Sequence, residues 1–356
     1  MIPAGFYWPF EKFWRNMNVK RVFIFLSLFF LTGCGSWHKT HLVKVSQQKT
    51  LMGTYVELDV CTSPKARNTA DAALEDAWKR LERISWQMNV YDPKSDLTKI
   101  NTANGKPVVI HPDTYFVLKS AEFFWKKTGG TFDPTIWPLL KFWREAAKEN
   151  KMPTPAEVDA VKTHVGFKHV RFLGNNMVAT DAPGIQVDLG GIAKGYAIDE
   201  AARIFREHGL HNFFVDAGGD VYAGGYNCEG KPWRVGISDP KDTAKLITIV
   251  AASDKAVATS GNYAQYVEIE GEHFSHIINP ITGYPQRTVT SATVIADSAQ
   301  SADALATSLT ILGDPKGTQM INGMGEEYAS FILMEQEDGR YARRRSKNFH
   351  KFEIKE

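Results

Sequence analysis

A glycine-rich segment that leads into a lysine, Ile185–Asp199, gives the strongest chemical signal in the sequence. Residues 185–189 fit a strand, and Gly190 and Gly191 would let the backbone approach a ligand closely. The residues that follow fit a helix with Lys194 in its first turn. Free backbone N–H groups and the lysine ammonium would then be directed at the same ligand position. This arrangement suits a phosphate, but a tight strand-to-helix turn with a solvated lysine would have the same pattern.

A second signal is a pair of oxygen-bearing side chains within Ser301–Leu309. Asp303 and Thr307 are four residues apart and share one face of a predicted helix, separate from its apolar stripe. A carboxylate and a hydroxyl suit Mg²⁺, which binds few protein oxygens and keeps water and phosphate as its other ligands. The residues alone favour a simpler interpretation, in which Asp303 lies in the first helical turn and Thr307 bonds back to its own helix.

Three loops carry further polar side chains. They are Gly129–Thr135 with Asp133, Val215–Asp220, and Ser275–Gly283 with His276. Each pattern taken alone is typical of turn chemistry. Their occurrence together with the two signals above favours a functional site assembled from several segments.

The elements that position these segments follow from hydrophobic periodicity. Helical spacing predicts four main helices, over 64–90, 112–127, 192–208 and 300–312. Strand-like alternation predicts strands over 54–60, 169–173, 185–189, 212–223, 233–238, 246–250, 265–269, 274–278 and 289–296. Runs of strands with inserted helices indicate an α+β fold with a largely antiparallel sheet. The sequence has neither a G-x-G-x-x-G after a predicted strand nor a Walker loop, so the common nucleotide fingerprints are absent.

The composition is that of a globular protein. With 43% apolar residues, 28 Gly and 16 Pro among 356 residues, it excludes disorder, collagen-like repeats and a disulfide-stapled miniprotein. The 42 basic and 40 acidic side chains give a net charge of +2. Such a nearly neutral chain is a poor candidate for non-specific binding to nucleic acid.

The N-terminal segment has the form of a bacterial export signal. Met17–Arg21 is basic, and the apolar run Val22–Leu31 is too short to span a bilayer comfortably. The sequence Leu-Thr-Gly-Cys that ends at Cys34 resembles a lipobox, in which the cysteine is acylated and becomes the new N-terminus. The alternative for the apolar run is a short membrane anchor or a buried helix.

Processing at Cys34 would divide the chain. Residues 1–33 would be a signal peptide with an upstream extension before Met17, and residues 34–48 would be a polar tether. The exported body contains Cys61 and Cys228. They could pair in an oxidising compartment, but we favour two isolated small apolar residues because the sequence gives no distance between them.

In order along the chain, these segments resemble the ApbE family of FAD:protein FMN transferases. Thr50–Thr54 and Tyr91–Leu97 extend the resemblance, which covers most of residues 48–315. It implies a bacterial, lipid-anchored, Mg²⁺-dependent enzyme that splits FAD, joins FMN through its phosphate to a threonine of a target protein and releases AMP. It also implies an α+β fold related to tunnelling-fold enzymes. The catalytic domain would cover 49–345, as one body or two lobes, and 346–356 would be a C-terminal tail.

The resemblance also assigns roles to single residues. Asp303 and Thr307 match the family's metal ligands, and the backbone carbonyl of Gly191 falls where a third ligand is supplied. The positions that match the lining of the FAD site are Met52, Tyr91, Asp133 and Lys194, and His276 matches a histidine beside the pyrophosphate. Either Asp303 or His276 would accept the proton of the target threonine, and we favour Asp303 as the base and His276 as a phosphate-orienting donor.

The resemblance extends to partners and location. The family's targets include flavin-bearing subunits of sodium-pumping NADH:quinone reductase and of Rnf-type complexes, recognised around a Ser/Thr-Gly-Ala-Thr segment. The expected location is the periplasmic side of the inner membrane, held by the lipid on Cys34. Two other functions stay open: hydrolysis of FAD to FMN and AMP, and storage of FAD without chemistry, which would have no need of Asp303 and Thr307.

Overall fold

An eight-stranded antiparallel sheet forms the centre of the fold in the computed structural model, which describes residues 41–262 and 266–355. The strands are β1 Val43–Leu51, β2 Thr54–Thr62, β3 Val108–Val109, β4 Val170–Gly174, β5 Met177–Thr180, β6 Phe213–Ala217, β7 Asp220–Gly224, β8 Trp233–Asp239, β9 Asp242–Ala252, β10 Lys255–Gly261, β11 Tyr266–Ile269, β12 Glu272–Ser275, β13 Ser291–Ala296, β14 Ala329–Glu335 and β15 Tyr341–Arg345. The helices are α1 Arg67–Gln87, α2 Asp96–Thr102, α3 Pro112–Lys127, α4 Trp137–Glu149, α5 Pro155–Lys162, α6 Ala193–Glu207, α7 Ala299–Leu312 and α8 Lys316–Asn322.

The strand order of the large sheet is β1-β2-β6-β7-β10-β13-β14-β15, and every neighbouring pair is antiparallel. Smaller sheets join β3 with β5 and β4, β8 with β9, and β11 with β12. This arrangement confirms the prediction of an α+β fold with largely antiparallel sheets.

Alternation along the central strands produces an apolar core on each face of the sheet. On β10, Ala256 and Ala258 belong to the larger core, whereas Val257 belongs to the other. Helices α1, α6 and α7 pack in the larger core. Strands β8 and β9 and a C-terminal 3₁₀ turn cover the opposite face. Helices α6 and α7, which carry Lys194 and Asp303, are therefore fixed against the sheet by buried apolar contacts.

A third apolar cluster joins α4 and α5 to β11 and β12. It includes Leu139, Trp143, Val158 and Phe274. The indole Nε1 of Trp143 donates to the carbonyl of Gly283 at 2.8 Å. The cluster thereby holds the loop that follows β12, in which His276 lies.

The four predicted helices are present, but one predicted strand is wrong. Residues 185–189 form no strand, although their backbone is firmly held. The N–H of Val187 donates to the side-chain oxygen of Asn101 at 2.6 Å, and the Asn101 amide donates back to the Val187 carbonyl at 2.9 Å. The N–H of Asp188 donates to the Pro134 carbonyl at 2.7 Å. A side chain and a loop thus take the place of a neighbouring strand.

Both ends of the predicted catalytic domain are also corrected. The tether predicted over 34–48 is already ordered at Val43, since β1 pairs with β2 from Val43 opposite Thr62. The segment predicted as a tail packs on the sheet: Phe349 is fully buried, and its ring stacks on Phe331 with centroids 5.1 Å apart. The described residues, 41–262 and 266–355, belong to one compact unit rather than two lobes. The signal peptide and Cys34 lie outside the described residues.

The preference for unpaired cysteines is wrong. Cys61 near the end of β2 and Cys228 after β7 form a disulfide, with their Cα atoms 5.1 Å apart. Since β6 lies between β2 and β7 in the sheet, the end of β2 comes close to the segment after β7. The two cysteines are 167 residues apart in sequence, and the order of the strands brings them together. In the described ranges no helix is long and apolar enough to cross a bilayer.

Candidate active site

The first turn of α6 places a lysine between two carboxylates. Lys194 Nζ lies 2.6 Å from Asp220 Oδ2 and 3.3 Å from Asp303 Oδ1. The carboxylate side chains are 7% and 3% exposed, respectively, so water screens this charge group weakly. Burial alone would lower the pKa of Lys194, but the two carboxylates outweigh burial and hold the pKa above its ordinary value.

Asp220 is positioned by a glycine turn and by β10. Gly218 and Gly219, with φ of 69° and 91°, form the turn between β6 and β7, and Asp220 follows directly. A Cβ at Gly218 would also lie 2.3 Å from Thr54 Oγ1, so no side chain fits there without a shift. The N–H of Thr259 on β10 donates to Asp220 Oδ1 at 3.1 Å and fixes the carboxylate between the strands.

Asp303 reaches the lysine because α6 and α7 approach each other closely. A Cβ at Gly195 would lie 2.3 Å from the carbonyl oxygen of Ala299, so only glycine allows this contact. The N–H of Gly195 donates to Asp303 Oδ2 at 3.1 Å. Burial, the largest influence, raises the pKa of Asp303 to about 6, although Lys194 opposes it. Lys194, Asp220 and ionised Asp303 together carry one excess negative charge.

The three predicted metal ligands come together at this cluster. Asp303 and Thr307 lie one turn apart on α7, and a Cβ at Gly191 would be 3.2 Å from Thr307 Oγ1. Ser260 Oγ on β10 lies 3.3 Å from the same hydroxyl. Carboxylate, hydroxyl and carbonyl oxygens are hard donors, and with the excess negative charge they fit a small divalent cation such as Mg²⁺. Across 41–262 and 266–355, no group of three or more His, Cys, Asp or Glu suits a metal.

The glycine segment before α6 differs from the predicted phosphate cradle. The N–H of Gly190 donates to Asp188 Oδ1 at 2.9 Å. The N–H groups of Ile192 and Ala193 donate to the Leu189 carbonyl at 3.0 and 2.8 Å. These donors are engaged within the protein, and the Lys194 ammonium faces carboxylates. Three N–H groups of this turn, those of Gly190, Ile192 and Ala193, are therefore not free to bind a phosphate.

An aromatic surface lies at Tyr91, which is 68% exposed. Its ring meets Trp137 edge-on with centroids 5.4 Å apart, and the guanidinium of Arg144 lies 5.3 Å from the Trp137 ring centroid. Arg144 also donates to the Tyr91 hydroxyl. Burial raises the pKa of Asp188 just before the glycine pair, and the charge of Arg144 opposes that rise. Arg144 therefore supports the Tyr91 surface through its contacts with the Trp137 ring and the Tyr91 hydroxyl.

Comparison with known proteins decides the family. The ApbE family profile matches residues 52–332, well over half of the chain. The chain belongs to the ApbE family.

Curated relatives of this ApbE-family chain carry the name FAD:protein FMN transferase. The Vibrio cholerae protein is 32% identical over 319 residues, which cover 88% of this chain and 93% of the relative. The Salmonella typhimurium protein is 30% identical over 336 residues, which cover 91% and 95%.

Solved structures agree with this assignment. The flavin transferase ApbE from Vibrio cholerae superposes with a TM-score of 0.77 at 29% identity, covering 87% of this chain and 99% of that one. The ApbE protein of Thermotoga maritima has a TM-score of 0.77 at 34% identity, covering 88% and 100%.

Two other predicted site residues of this ApbE-family chain are Met52, which lies in a strand-connecting turn, and Asp133, which caps a short 3₁₀ helix. Met52 is half-buried and has a φ of 53°; with Gly53 at 74°, it makes the two-residue turn between β1 and β2. Asp133 is 8% exposed and accepts the N–H groups of Thr135 and Phe167 at 2.8 and 3.0 Å. Burial raises the pKa of Asp133. These contacts give Asp133 a capping role, and its place in an FAD site stays a prediction.

His276 follows β12 directly and is half-buried. Its assignment beside a pyrophosphate stays a prediction.

Sequence reasoning missed three residues of the site: Asp220, Trp137 and Arg144. Asp220 ends a loop that the sequence marks only as a bend in a strand, and its partner Lys194 is 26 residues away. Trp137 and Arg144 are seven residues apart on α4, so helical spacing could have paired them. No local pattern connects that pair with Tyr91.

Proposed function

We propose that this protein transfers the FMN moiety of FAD to a hydroxyl of an acceptor protein and releases AMP. The relatives named FAD:protein FMN transferase support the reaction. The observation that carries the proposal is the buried cluster at the start of α6, where Lys194 lies between Asp220 and Asp303. This arrangement brings a cationic donor and hard oxygen ligands to one point, as a pyrophosphate substrate requires.

We propose Mg²⁺ as the metal, held by Asp303, Thr307 and the carbonyl of Gly191. Support comes from the hard oxygen donors and from the excess negative charge of the cluster. When bound, Mg²⁺ would neutralise charge on the pyrophosphate and polarise the phosphorus under attack.

The transfer itself is an in-line displacement at the phosphorus of the FMN half of FAD. The acceptor hydroxyl oxygen forms a new P–O bond, the P–O bond of the pyrophosphate bridge breaks, and AMP leaves with the electron pair. Lys194 donates to a phosphate oxygen and thereby offsets charge that would repel the incoming oxygen. Asp303 accepts the hydroxyl proton, and His276 orients the phosphate.

The flavin ring is proposed to lie against Tyr91 and Met52. Isoalloxazine is a flat, largely apolar ring system, and exposed Tyr91 offers it an aromatic face. Trp137 and Arg144 support that face from behind, through the edge-on ring contact and the hydrogen bond to the tyrosine hydroxyl.

The direct test incubates the protein with FAD, Mg²⁺ and an acceptor domain that contains a Ser/Thr-Gly-Ala-Thr segment. Denaturing gel electrophoresis then detects fluorescence of covalently bound flavin. We expect fluorescence on the acceptor, and none on a matched acceptor whose last motif threonine is changed to valine. Free FMN and AMP with an unmodified acceptor would instead indicate hydrolysis, and unchanged FAD would indicate storage.

We further propose that acceptors are flavin-bearing subunits of respiratory sodium-pumping or Rnf-type complexes, and that the protein is anchored at the periplasmic side of the inner membrane. The Cys61–Cys228 disulfide supports an oxidising compartment. Cys34→Ser should move the protein from the membrane fraction to the soluble fraction and leave FMN transfer unchanged, because Cys34 would serve only for acylation. Retention of that variant in the membrane fraction would contradict the lipid anchor.

A further inference from the structure

We propose that Asp220 is a positioning residue that binds the Lys194 ammonium more closely than Asp303 does and so keeps the Asp303 carboxylate available for a divalent cation. The inference rests on the proposed metal site at Asp303 and Thr307. It concerns a residue that the sequence did not single out and that is not itself one of the proposed metal ligands.

The distances in the cluster are unequal. Lys194 Nζ lies 2.6 Å from Asp220 Oδ2, but 3.3 and 3.4 Å from the two oxygens of Asp303. The first distance is that of a strong charge-assisted hydrogen bond, and the other two are clearly weaker contacts. The ammonium is therefore held mainly by Asp220.

Asp220 is held in place by the sheet. Its Oδ1 accepts the N–H of Thr259, and the residue is only 5% exposed. Asp220 lies on β7, which pairs with β10, so this hydrogen bond fixes the carboxylate relative to both strands. Lys194 thus meets an anion that is fixed to the sheet.

Removal of the Asp220 charge has two consequences for Asp303. The cluster loses its excess negative charge, and Lys194 loses its nearest partner. The Lys194 side chain is only 27% exposed, and Asp303 would be its one remaining carboxylate contact in this cluster, so Lys194 would close on Asp303. The same oxygens would then be occupied when a divalent cation arrives, and the affinity for the cation would fall.

Asp220→Asn separates this role from a purely structural one. The asparagine side-chain oxygen can still accept the Thr259 N–H, so the link between β7 and β10 is kept while the charge is removed. Asp216→Asn is the matched control, because Asp216 lies in the same hairpin and its carboxylate accepts the N–H of Gly219.

The experiment measures binding of Mn²⁺ by the purified protein without FAD or acceptor, through the loss of the free Mn²⁺ signal in electron paramagnetic resonance. We expect the dissociation constant to rise at least tenfold in Asp220→Asn and less than threefold in Asp216→Asn. Equal affinity in wild type and Asp220→Asn would overturn the proposal.

A double-mutant cycle tests whether Asp220 acts through the lysine. In a Lys194→Met background, no ammonium remains to close on Asp303, so Asp220→Asn should weaken Mn²⁺ binding less than threefold. An equally large loss in both backgrounds would mean that Asp220 acts by its charge alone, and would overturn the positioning role. Asp220→Glu, which keeps the charge, should recover most of the affinity and serves as the second variant if Asp220→Asn does not fold.

Asp303→Ala separates this inference from the proposed metal site. If Asp303→Ala binds Mn²⁺ as tightly as wild type, the metal assignment and the role of Asp220 fail together. If Asp303→Ala loses binding but Asp220→Asn keeps it, only the role of Asp220 fails.

Discussion

Helix α6 takes part in two buried charge clusters that differ in how completely their charges are paired. One cluster, which is largely buried, joins Arg80 on α1 to Asp113 on α3 and to Glu200 on α6. Arg203 on α6 also binds Glu200 at 3.0 Å, so the two carboxylates of this cluster face two guanidinium groups. Arg80 makes two bonds of 2.5 and 2.6 Å to Asp113 and one of 2.8 Å to Glu200. The other cluster is centred on Lys194, which has one contact of 2.6 Å to Asp220 and longer contacts to Asp303.

The difference distinguishes a structural ion pair from a site prepared for a ligand. A guanidinium that forms short bonds to two carboxylates fixes three helices and leaves few acceptor positions free. The Lys194 cluster instead keeps one excess negative charge in a buried place, which costs free energy unless a cation compensates it. The rise of the Asp303 pKa to about 6 is a consequence of that burial. We infer that the first cluster stabilises the fold and that the second serves the reaction.

Removing one carboxylate from each cluster should separate their roles most strongly. Asp303→Ala should lower the rate of FMN transfer at least about 1000-fold, because it removes both the anionic metal ligand and the proposed base. Asp113→Ala, the matched change in the Arg80 cluster, should keep the rate within about threefold of wild type. Both rates are measured as covalent flavin formed on the acceptor at a temperature where each variant is folded. Comparable losses in the two variants would remove the distinction.

For the free energy of unfolding, the larger loss should come from the Arg80 cluster and the smaller loss from the Lys194 cluster. Arg80→Met leaves the largely buried Asp113 without its guanidinium partner and Glu200 with Arg203 alone, and should lower the free energy of unfolding by about 3 kcal/mol. Asp303→Ala removes an incompletely paired carboxylate and should lower it by less than about 1 kcal/mol in metal-free buffer. Urea unfolding followed by circular dichroism measures both values. A larger loss in Asp303→Ala than in Arg80→Met would contradict the structural role of the Arg80 cluster.

Another carboxylate of α6, Asp199, sharpens the comparison through pH. It accepts the N–H groups of Ala299 and Gln300 at 2.7 and 2.9 Å and so anchors the start of α7. Burial raises the pKa of Asp199 to about 7, above its unfolded value near 4. The folded state therefore favours the protonated form, and the stability that this provides is complete below pH 4 and is lost as the pH rises through 7.

The test measures the free energy of unfolding as a function of pH for wild type and for Asp199→Asn, which cannot ionise at this position. Relative to that variant, the free energy of unfolding of wild type should fall by about 3 kcal/mol between pH 5 and pH 8. Parallel pH profiles for the two proteins would show that Asp199 does not titrate in this range.

The smallest expected effect concerns FAD binding. Lys194→Met should raise the dissociation constant for FAD about tenfold, or about 1.4 kcal/mol, because it removes one charged contact to the pyrophosphate and leaves the flavin surface intact. Lys99→Met is the control. Lys99 and its buried partner Asp96 both lie on α2, so this substitution should leave FAD affinity unchanged. Calorimetric titration gives both constants. Unchanged affinity in Lys194→Met would remove this lysine from the FAD site.

The sequence predicts the fold where local periodicity and burial agree. Helix α3 spans Pro112–Lys127 as predicted, because its apolar spacing ends at the glycine pair 129–130. Residues 185–189 have the same alternation as a strand, yet their partner is the side chain of Asn101. Periodicity describes which faces are buried, and it carries no information about the group that receives each backbone hydrogen bond.

The same limit applies to the site. Asp303 and Thr307 could be proposed together because helical spacing puts them on one face, and the resemblance to the ApbE family added Gly191. Their role as metal ligands stays a prediction. Asp220 was missed because its partnership with Lys194 depends on how β7 lies beside β10 and against α6, a relationship without a local pattern. The Cys61–Cys228 disulfide escaped the prediction for the same reason, since the strand order creates the contact.

The most direct test of the central claim is the ratio of AMP released to flavin bound covalently. Wild type, FAD, Mg²⁺ and an acceptor domain are incubated, AMP is quantified by chromatography, and flavin on the denatured acceptor is quantified by absorbance and intact mass. We expect one AMP for each covalently bound FMN, with both products lost in Asp303→Ala and retained in Asp113→Ala. Release of AMP in excess of covalent flavin, or full transfer by Asp303→Ala, would contradict it.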